Sequence, residues 1–265
     1  EALPDWTDAA FEAYAGRHYP AYWLKVELPR RMKHARFLAA AEACGDTTAT
    51  AVETDGFRGV TELTVLAPDH PRLLAIVTGA CASAGGNIVD AQIFTTTDGL
   101  ALDTIFVSRA FVEDEDELRR GERIARAIER ALKSEVRIAD LVDSKRPSSA
   151  RERMRAFHVP PEVALDNKLS QRHTVIEVSC LDRPGLLYDL TTALGKLNLN
   201  IGSAHIATFG EKAVDVFYVT DLTGAKITSG SRQAAIRRTL MEALRKEEDG
   251  HPPGRGEAAR AKASP

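Results

Sequence analysis

Between residues 61 and 133 the hydrophobic pattern switches between the strand period and the helix period. Leu63, Val65 and Ala67 alternate with Glu62 and Thr64, which predicts a half-buried strand over 61–67. Pro68 to Pro71 form a turn, and Pro71 suits the first turn of a helix, where its missing N–H costs nothing. Leu73, Leu74, Val77, Ala80, Cys81 and Ala84 mark one helix face, stopped by Gly85-Gly86. Val89, Ala91 and Ile93 alternate with Asp90 and Gln92 and predict a strand over 87–97. Asp98-Gly99 is a hairpin turn, and 100–108 returns as a strand. A second helix follows over 114–133, with an acidic start (Asp114 to Glu117), a basic later part (Arg119, Arg120, Arg123, Arg126) and an apolar face of Leu118, Ile124, Ile128 and Leu132.

The pattern then recurs. Ile176, Val178 and Cys180 alternate with Glu177 and Ser179; Leu186, Leu187, Leu190, Leu194 and Leu197 give a helix face; Ala204 and Ile206 alternate with Ser203 and His205; 213–220 returns; and 232–247 forms the second helix through Ile236, Leu240 and Leu244. With an offset of 113, residues 61–94 and 174–207 are identical at 12 of 34 positions. The identities fall on an Asp-x-Pro-x-Leu-Leu turn (Asp69, Pro71, Leu73, Leu74; Asp182, Pro184, Leu186, Leu187) and on an Asn-Ile pair (Asn87, Ile88; Asn200, Ile201). After a one-residue loss, Asp103 aligns with Asp215 and Val107 with Val219. A repeat this long is a whole folding unit used twice. The order β-α-β-β-α, with a fourth strand expected at 157–166 in the first unit, makes the fold class α+β: two ferredoxin-like (β-α-β-β-α-β) domains in tandem. The second unit shows no fourth strand of its own.

Residues 1–60 precede the first unit as a mixed, partly helical lead-in. It holds Trp6, Phe11, Tyr14, Tyr22 and Trp23 and a helical stretch at 30–43 ended by Gly45. With too little apolar company for a core of its own, it reads as the edge of a preceding domain. The boundaries that follow are 1–60 for the lead-in, 61–168 for the first unit with its linker and late strand, 172–248 for the second, and 249–265 for a disordered tail. Residues 143–156 are polar and basic, the composition of a solvated linker.

A hydrophobic fraction of 44% with 28% charged residues is ordinary globular composition, and a net charge of −3 selects neither nucleic acid nor anionic lipid. The three cysteines lack metal-ligand spacing, and Cys81 and Cys180 lie in apolar patterns as inert buried thiols, a usage that suits a reducing cytoplasm. No apolar run is long enough to span a membrane. The chain begins at Glu1, which points to a piece of something longer.

The repeated turn joins a strand to a helix start. Unpaired N–H groups there face outward, where the helix dipole favours an anion such as a carboxylate. Gly185 permits close approach of a ligand to the backbone, and the Asn200 side chain both donates and accepts hydrogen bonds. An amino acid carries both needs, a carboxylate and an ammonium. Turn and cap chemistry alone also accounts for Asp-x-Pro.

The run Leu-Asp-Arg-Pro-Gly-Leu-Leu at 181–187, followed by Leu-Asn-Leu-Asn-Ile-Gly-Ser-Ala-His-Ile at 197–206, resembles the ACT domain, a ferredoxin-like module that binds amino acids. Asp90 to Gly99 with Leu102-Asp103-Thr104, together with Tyr22-Trp23-Leu24 and Lys33 to Arg36, resembles the C-terminal tandem ACT region of the bifunctional uridylyltransferase/uridylyl-removing enzymes of bacterial nitrogen control. The resemblance covers residues 15–248. It implies a cytoplasmic regulatory part that senses L-glutamine for an enzyme that uridylylates and deuridylylates the PII protein, with ACT units paired within or between chains. It implies one ligand site at Asp182, Arg183, Pro184, Gly185, Leu186, Leu187, Asn200 and Ile201. It implies a second at Asp69, His70, Pro71, Arg72, Leu73, Leu74, Asn87 and Ile88, where Arg72 replaces the usual Gly. The parent's transferase site needs Gly-Ser and Asp-x-Asp motifs with Mg²⁺, and its hydrolase site needs a His-Asp pair. No His-Asp dipeptide occurs, and Asp114/Asp116 lacks the transferase context. No catalytic residue, metal ligand or cofactor is therefore expected in this chain. The alternative is a free-standing ACT-repeat protein that binds another amino acid and acts through a protein partner; nucleic-acid binding is disfavoured because the sheet face lacks exposed aromatics.

Overall fold

Consecutive strands that are joined by short loops pair first, because closing a short loop costs little entropy. That rule decides where each unit finds its outer strand. The computed structural model describes residues 6–145 and 159–245. Three helices open it: α1 (Asp8–Gly16), α2 (Pro20–Lys25) and α3 (Leu28–Cys44). The first unit is β1 (Ala49–Asp55), β2 (Val60–Pro68), α4 (Leu73–Ser83), β3 (Ile88–Gln92), β4 (Leu100–Ser108) and α5 (Asp114–Leu132), followed by a short α6 (Ile138–Lys145). The second is β5 (Glu162–Asp166), β6 (Thr174–Leu181), α7 (Leu186–Lys196), β7 (Leu199–Phe209), β8 (Lys212–Asp221) and α8 (Gly230–Arg245).

All strands are antiparallel and form a single eight-stranded sheet of order β1-β2-β4-β3-β7-β8-β6-β5. This corrects the expected fourth strand of the first unit. Residues 162–166 pair with β6 of the second unit, so the second unit does have an outer strand, and the first takes its own from 49–55 of the lead-in. Each outer strand is the first arm of a hairpin into the next strand. Reaching β2 from residue 162 would instead require closing a loop of nearly a hundred residues. The strand expected over 87–97 ends at Gln92, because Thr97 N–H is drawn to the Arg17 carbonyl at 2.9 Å and Thr96 N–H to the Leu100 carbonyl at 2.7 Å. The tail after 248 and most of the 143–156 linker lie outside the described residues.

Helices α4, α5, α7 and α8 cover one face of the sheet, and their apolar sides meet Leu63, Val65, Ile105, Val107, Ile176, Val178, Phe217 and Val219 in one continuous core. On α5 the buried side is Ile124, Ala125, Ile128 and Ala131 with Glu117 and Arg120, and Leu118 is exposed, contrary to the expected stripe. Glu117 is tolerated in the interior because it accepts from Thr61 Oγ1 (2.6 Å), Arg120 (2.7 Å) and two backbone N–H groups.

The lead-in packs its apolar residues on the opposite face of the first unit. Tyr14, Tyr22, Val26, Ala35 and Leu38 pack on Leu66, Phe94 and Leu102. A hydrogen-bond chain crosses this seam from Tyr14 to Tyr22 (2.6 Å), His34 Nδ1 (2.9 Å) and, from His34 Nε2, to Thr104 Oγ1 (3.0 Å). Tyr14 gives its proton to the Arg31 carbonyl, so Tyr22 donates to Tyr14, His34 Nδ1–H donates to Tyr22, and Thr104 donates to Nε2. This neutral tautomer agrees with a His34 pKa lowered to about 3 by burial and by the neighbouring Arg30, His18 and Lys33. Arg30 adds a buried two-pronged ion pair to Glu62 on β2 at 3.1 and 3.3 Å.

The two units meet along a pseudo-twofold axis. Ala91 on β3 pairs with Ala204 on β7, and Thr78 Oγ1 on α4 lies 3.0 Å from Thr191 Oγ1 on α7. Both pairs are related by the repeat offset of 113, so the interface is self-complementary in the manner of a symmetric dimer. Close approach here depends on Gly79, where an added Cβ would lie 2.2 Å from Ile138 Cγ2 and 2.7 Å from the Tyr188 ring. Gly79→Ala is expected to destabilise the fold by about 1–3 kcal/mol through overpacking between α4, α6 and α7. Urea unfolding of the variant beside the parent chain measures this, and an unchanged midpoint would contradict the packing.

Candidate functional site

Each repeat carries its Asp-x-Pro turn at the mouth of a cavity, and each cavity is closed by the other repeat. The larger, of about 350 Å³, lies between the second unit's turn (Asp182 to Tyr188) and Asn87-Ile88 of the first. The smaller, of about 210 Å³, lies between Asp69, His70, Pro71, Leu73 and Leu74 and the second unit's Asn200-Ile201. The structure therefore brings the expected residues together crosswise. The Asp182–Leu187 turn meets Asn87 and Ile88, not Asn200 and Ile201, and the Asp69–Leu74 turn meets Asn200 and Ile201. The reason is the edge-to-edge joining of β3 to β7, which carries each Asn-Ile pair towards the neighbouring unit's helix start. The Asn87 and Asn200 side chains are exposed and make no hydrogen bond among the described residues.

Both turns share one frame. Asp69 N–H donates to the Gly99 carbonyl at 3.0 Å and Asp182 N–H to the Glu211 carbonyl at 2.8 Å. The Asp69 carboxylate accepts from Thr95 Oγ1 (2.8 Å) and that of Asp182 from Thr208 Oγ1 (3.4 Å), another pair at the offset of 113. These aspartates fasten the turn to the β-hairpin beside it. Among the described residues no side chain caps α4 or α7, so the dipole-favoured helix start stays open in both cavities.

The turns differ where Arg72 replaces Gly185. Gly185 sits at φ 80°, a left-handed conformation that glycine adopts without strain. Arg72 has φ −101°, does not line its cavity, and lays its Cγ beside Gly195 of α7. It packs between the units. His70 accepts from the Arg72 N–H at 3.2 Å and so belongs to the turn as well as to the cavity wall. Arg183 is buried; it pairs with Asp189 at 2.7 Å and reaches the Ala243 carbonyl at 3.3 Å, tying the turn to α8.

Two acidic residues that sequence reasoning passed over line these cavities. Asp103 of β4 is 1% exposed and Asp215 of β8 is 2% exposed, and each faces the helix side of the sheet. Neither oxygen of Asp103, nor Oδ1 of Asp215, has a hydrogen-bond partner among the described residues. Burial, and next the charge of Asp182, push the Asp215 carboxyl up to about 7. Burial and then Asp69 raise Asp103 well above the ordinary carboxylate value; the Phe94 N–H approaches without the geometry of a hydrogen bond and offsets this by less. The signal was present in the sequence: an acid inside the apolar runs LALDTIFV and AVDVFYV, at the position that alternation assigns to the core. His205 lies 3.3 Å from Asp90 across the β3–β7 junction.

Two small ferredoxin-like units joined edge to edge, each closing a cavity at its neighbour's turn, define a tandem of ACT domains. A family model described as the ACT domain matches residues 61–130, and one described as an ACR9-like, ACT-like domain matches 162–247. The chain belongs to the ACT-domain family, whose members are regulatory amino-acid-binding modules. Over 92% of its length it is 59% identical to the bifunctional uridylyltransferase/uridylyl-removing enzyme of Rhodopseudomonas palustris, and over 93% it is 58% identical to that of Bradyrhizobium sp. strain ORS 278. The region matched is the C-terminal part of these enzymes, and the chain spans about a quarter of their length (26%). Among solved structures, aspartate kinase from Synechocystis matches 71% of this chain and 27% of its own at 16% identity, with a TM-score of 0.39.

A carboxyl whose pKa is raised in the folded state loses stability for the protein as pH rises from the unfolded value near 4 to the folded value. Asp215→Asn removes that loss. The variant's melting temperature, relative to the parent chain without ligand, is expected to climb between pH 4 and pH 7 and to level off above. The accompanying gain is at most about 4 kcal/mol. Thermal melts of both proteins across that range check this, and a pH-independent difference would refute the raised pKa.

Proposed function

We propose that this chain is the amino-acid-sensing part of an enzyme that attaches UMP to the PII protein and removes it, and that the sensed amino acid is L-glutamine. One observation carries the reading: each cavity is built from both units, so a ligand held there binds the arrangement of the pair and not one domain alone. The open start of α7 or α4 offers N–H groups to the ligand's carboxylate, and Asn87 or Asn200, respectively, offers an amide from across the interface. The enzymes matched over nearly the whole chain carry both uridylyl-transferring and uridylyl-removing activity in their name, which supports the parent assignment.

Sensing requires that ligand favour one arrangement, since equal binding to two shifts nothing. The lead-in is placed to read that arrangement. It is fixed to the first unit through Tyr22, His34 and Arg30, and it also touches the second, where Lys25 Nζ donates to Ser203 Oγ at 3.3 Å and lies 5.3 Å from the Tyr218 ring centre. A movement between the units would stretch the contacts of α2.

Isothermal titration with L-glutamine, with glutamate and asparagine as controls, is expected to show saturable binding of glutamine alone. Asn87→Ala is expected to weaken the site at the Gly185 turn by about tenfold or more, the cost of one ligand hydrogen bond, and Asn200→Ala to spare it. Loss of that site in Asn200→Ala with retention in Asn87→Ala would show that the crosswise assignment is wrong.

A further inference from the structure

The acids at the two cavities divide into two kinds. Asp69 and Asp182 on the turns are partnered by Thr95 and Thr208 and have a structural task. Asp103 and Asp215 on the strands have none: they are almost wholly buried, make no hydrogen bond of normal geometry among the described residues, are equivalent in the repeat, and each lines a cavity. A buried carboxyl without a partner is costly, and its presence in both units at the cavity wall points to a partner that arrives from outside. What arrives must donate hydrogen bonds and, to favour the ionised carboxyl, carry positive charge.

We propose that Asp103 and Asp215 are the ammonium-accepting groups of the two cavities: each receives the α-ammonium of a bound amino acid and, as it does so, releases its own proton to solvent. This rests on the amino-acid reading above and assigns that reading's missing half, because the helix starts account for the carboxylate end only. The surroundings leave the role open to a ligand. With Asp215 at the larger cavity lie Asp182 from the turn, Glu211 from the hairpin and Arg183, whose guanidinium is drawn to Asp189 and Ala243; Cys180 on β6 is a buried thiol with its pKa pushed up to about 12 by burial and then by Asp215. The first unit adds Thr78, Ala82, Gly85, Gly86, Asn87 and Ile88, none of them charged. With Asp103 lie Asp69 and His70 from the turn and, from the second unit, His173, whose pKa is lowered by burial and by Lys25, Arg172 and Lys226. Among the residues lining the two cavities, Arg183 is the one lysine or arginine.

The test is calorimetric titration of the whole chain at pH 6 and pH 8, in buffers of differing ionisation enthalpy. The probes are L-glutamine and glutaramate, which has hydrogen in place of the ammonium. Because Asp215 titrates near pH 7 when the cavity is empty, glutamine affinity at its site is expected to rise about tenfold from pH 6 to pH 8, with close to one proton released per glutamine at pH 6. Glutaramate is expected to show no proton release. Asp215→Asn, checked for folding by its melting curve, is expected to abolish the pH dependence at its site and to weaken glutamine at least tenfold while leaving glutaramate binding unchanged; Asp103→Asn is expected to weaken glutamine and spare glutaramate in the same way at the smaller cavity. The proton release of the parent chain needs no variant. Unchanged glutamine binding in both Asn variants, or equal loss of glutamine and glutaramate, would overturn the ammonium assignment and leave the amino-acid reading standing. Absence of glutamine binding by the parent chain at both pH values would overturn the two together.

Discussion

The contact between the two units is the constraint on which the rest of the structure depends. It is narrow. One backbone pair, Ala91 with Ala204, links the half-sheets, and one hydroxyl pair, Thr78 with Thr191, links the helices. Small side chains at these positions let β3 approach β7 and α4 approach α7, and Gly79 and Gly195 take up the closest points, where an added Cβ at Gly195 would lie 2.9 Å from the Pro71 carbonyl oxygen. Because the interface is self-complementary, it places two cavities at symmetric positions, each with a turn from one unit and an Asn-Ile pair from the other. Neither cavity exists in a single unit.

The lead-in breaks this symmetry on the other face of the sheet. The repeat offset relates Asp90 to Ser203 and Gln92 to His205. Asp90 and His205 pair with each other at 3.3 Å, whereas Gln92 and Ser203 are taken by the lead-in, through Arg30 at 3.5 Å and Lys25 at 3.3 Å. Four positions that a symmetric dimer would use identically are thus divided between a contact across the axis and contacts to a third element. The chain from Tyr14 through His34 ends on Thr104, which is next to Asp103 but points to the opposite face of β4. One strand therefore carries the lead-in's anchor on one side and a cavity acid on the other, and neighbouring residues of a strand move together.

The repeat, the two strand-helix-strand-strand-helix units and the turn residues were legible because amphipathic period and turn chemistry are local properties. The outer strands were not. Ala49–Asp55 and Glu162–Asp166 are edge strands in which no residue is fully buried, so their alternation is weak, and their pairing depends on hairpin closure and not on composition. Leu118 was misplaced because the α5 face turned inward is held by Glu117 and Arg120, whose burial is made tolerable by partners distant in sequence. The turns and the Asn-Ile pairs were legible as a repeated element, but which of them would face one another was not, since a repeat in sequence says nothing about which copy's turn meets which copy's asparagine.

Asp103 and Asp215 show where sequence and structure must be read jointly. The alignment displays both acids as an identity, and alternation places both in a core, but neither observation separates a buried acid that has partners from one that lacks them. Glu117 supplies the contrast within the same chain: it is 0% exposed and bound by four donors, so its burial is a completed structural arrangement. Asp103 is 1% exposed and, among the described residues, accepts no hydrogen bond of normal geometry. Two acids of nearly equal burial thus differ in whether the fold has finished satisfying them. The unfinished ones open onto the cavities, and there a second molecule can complete what the protein leaves undone.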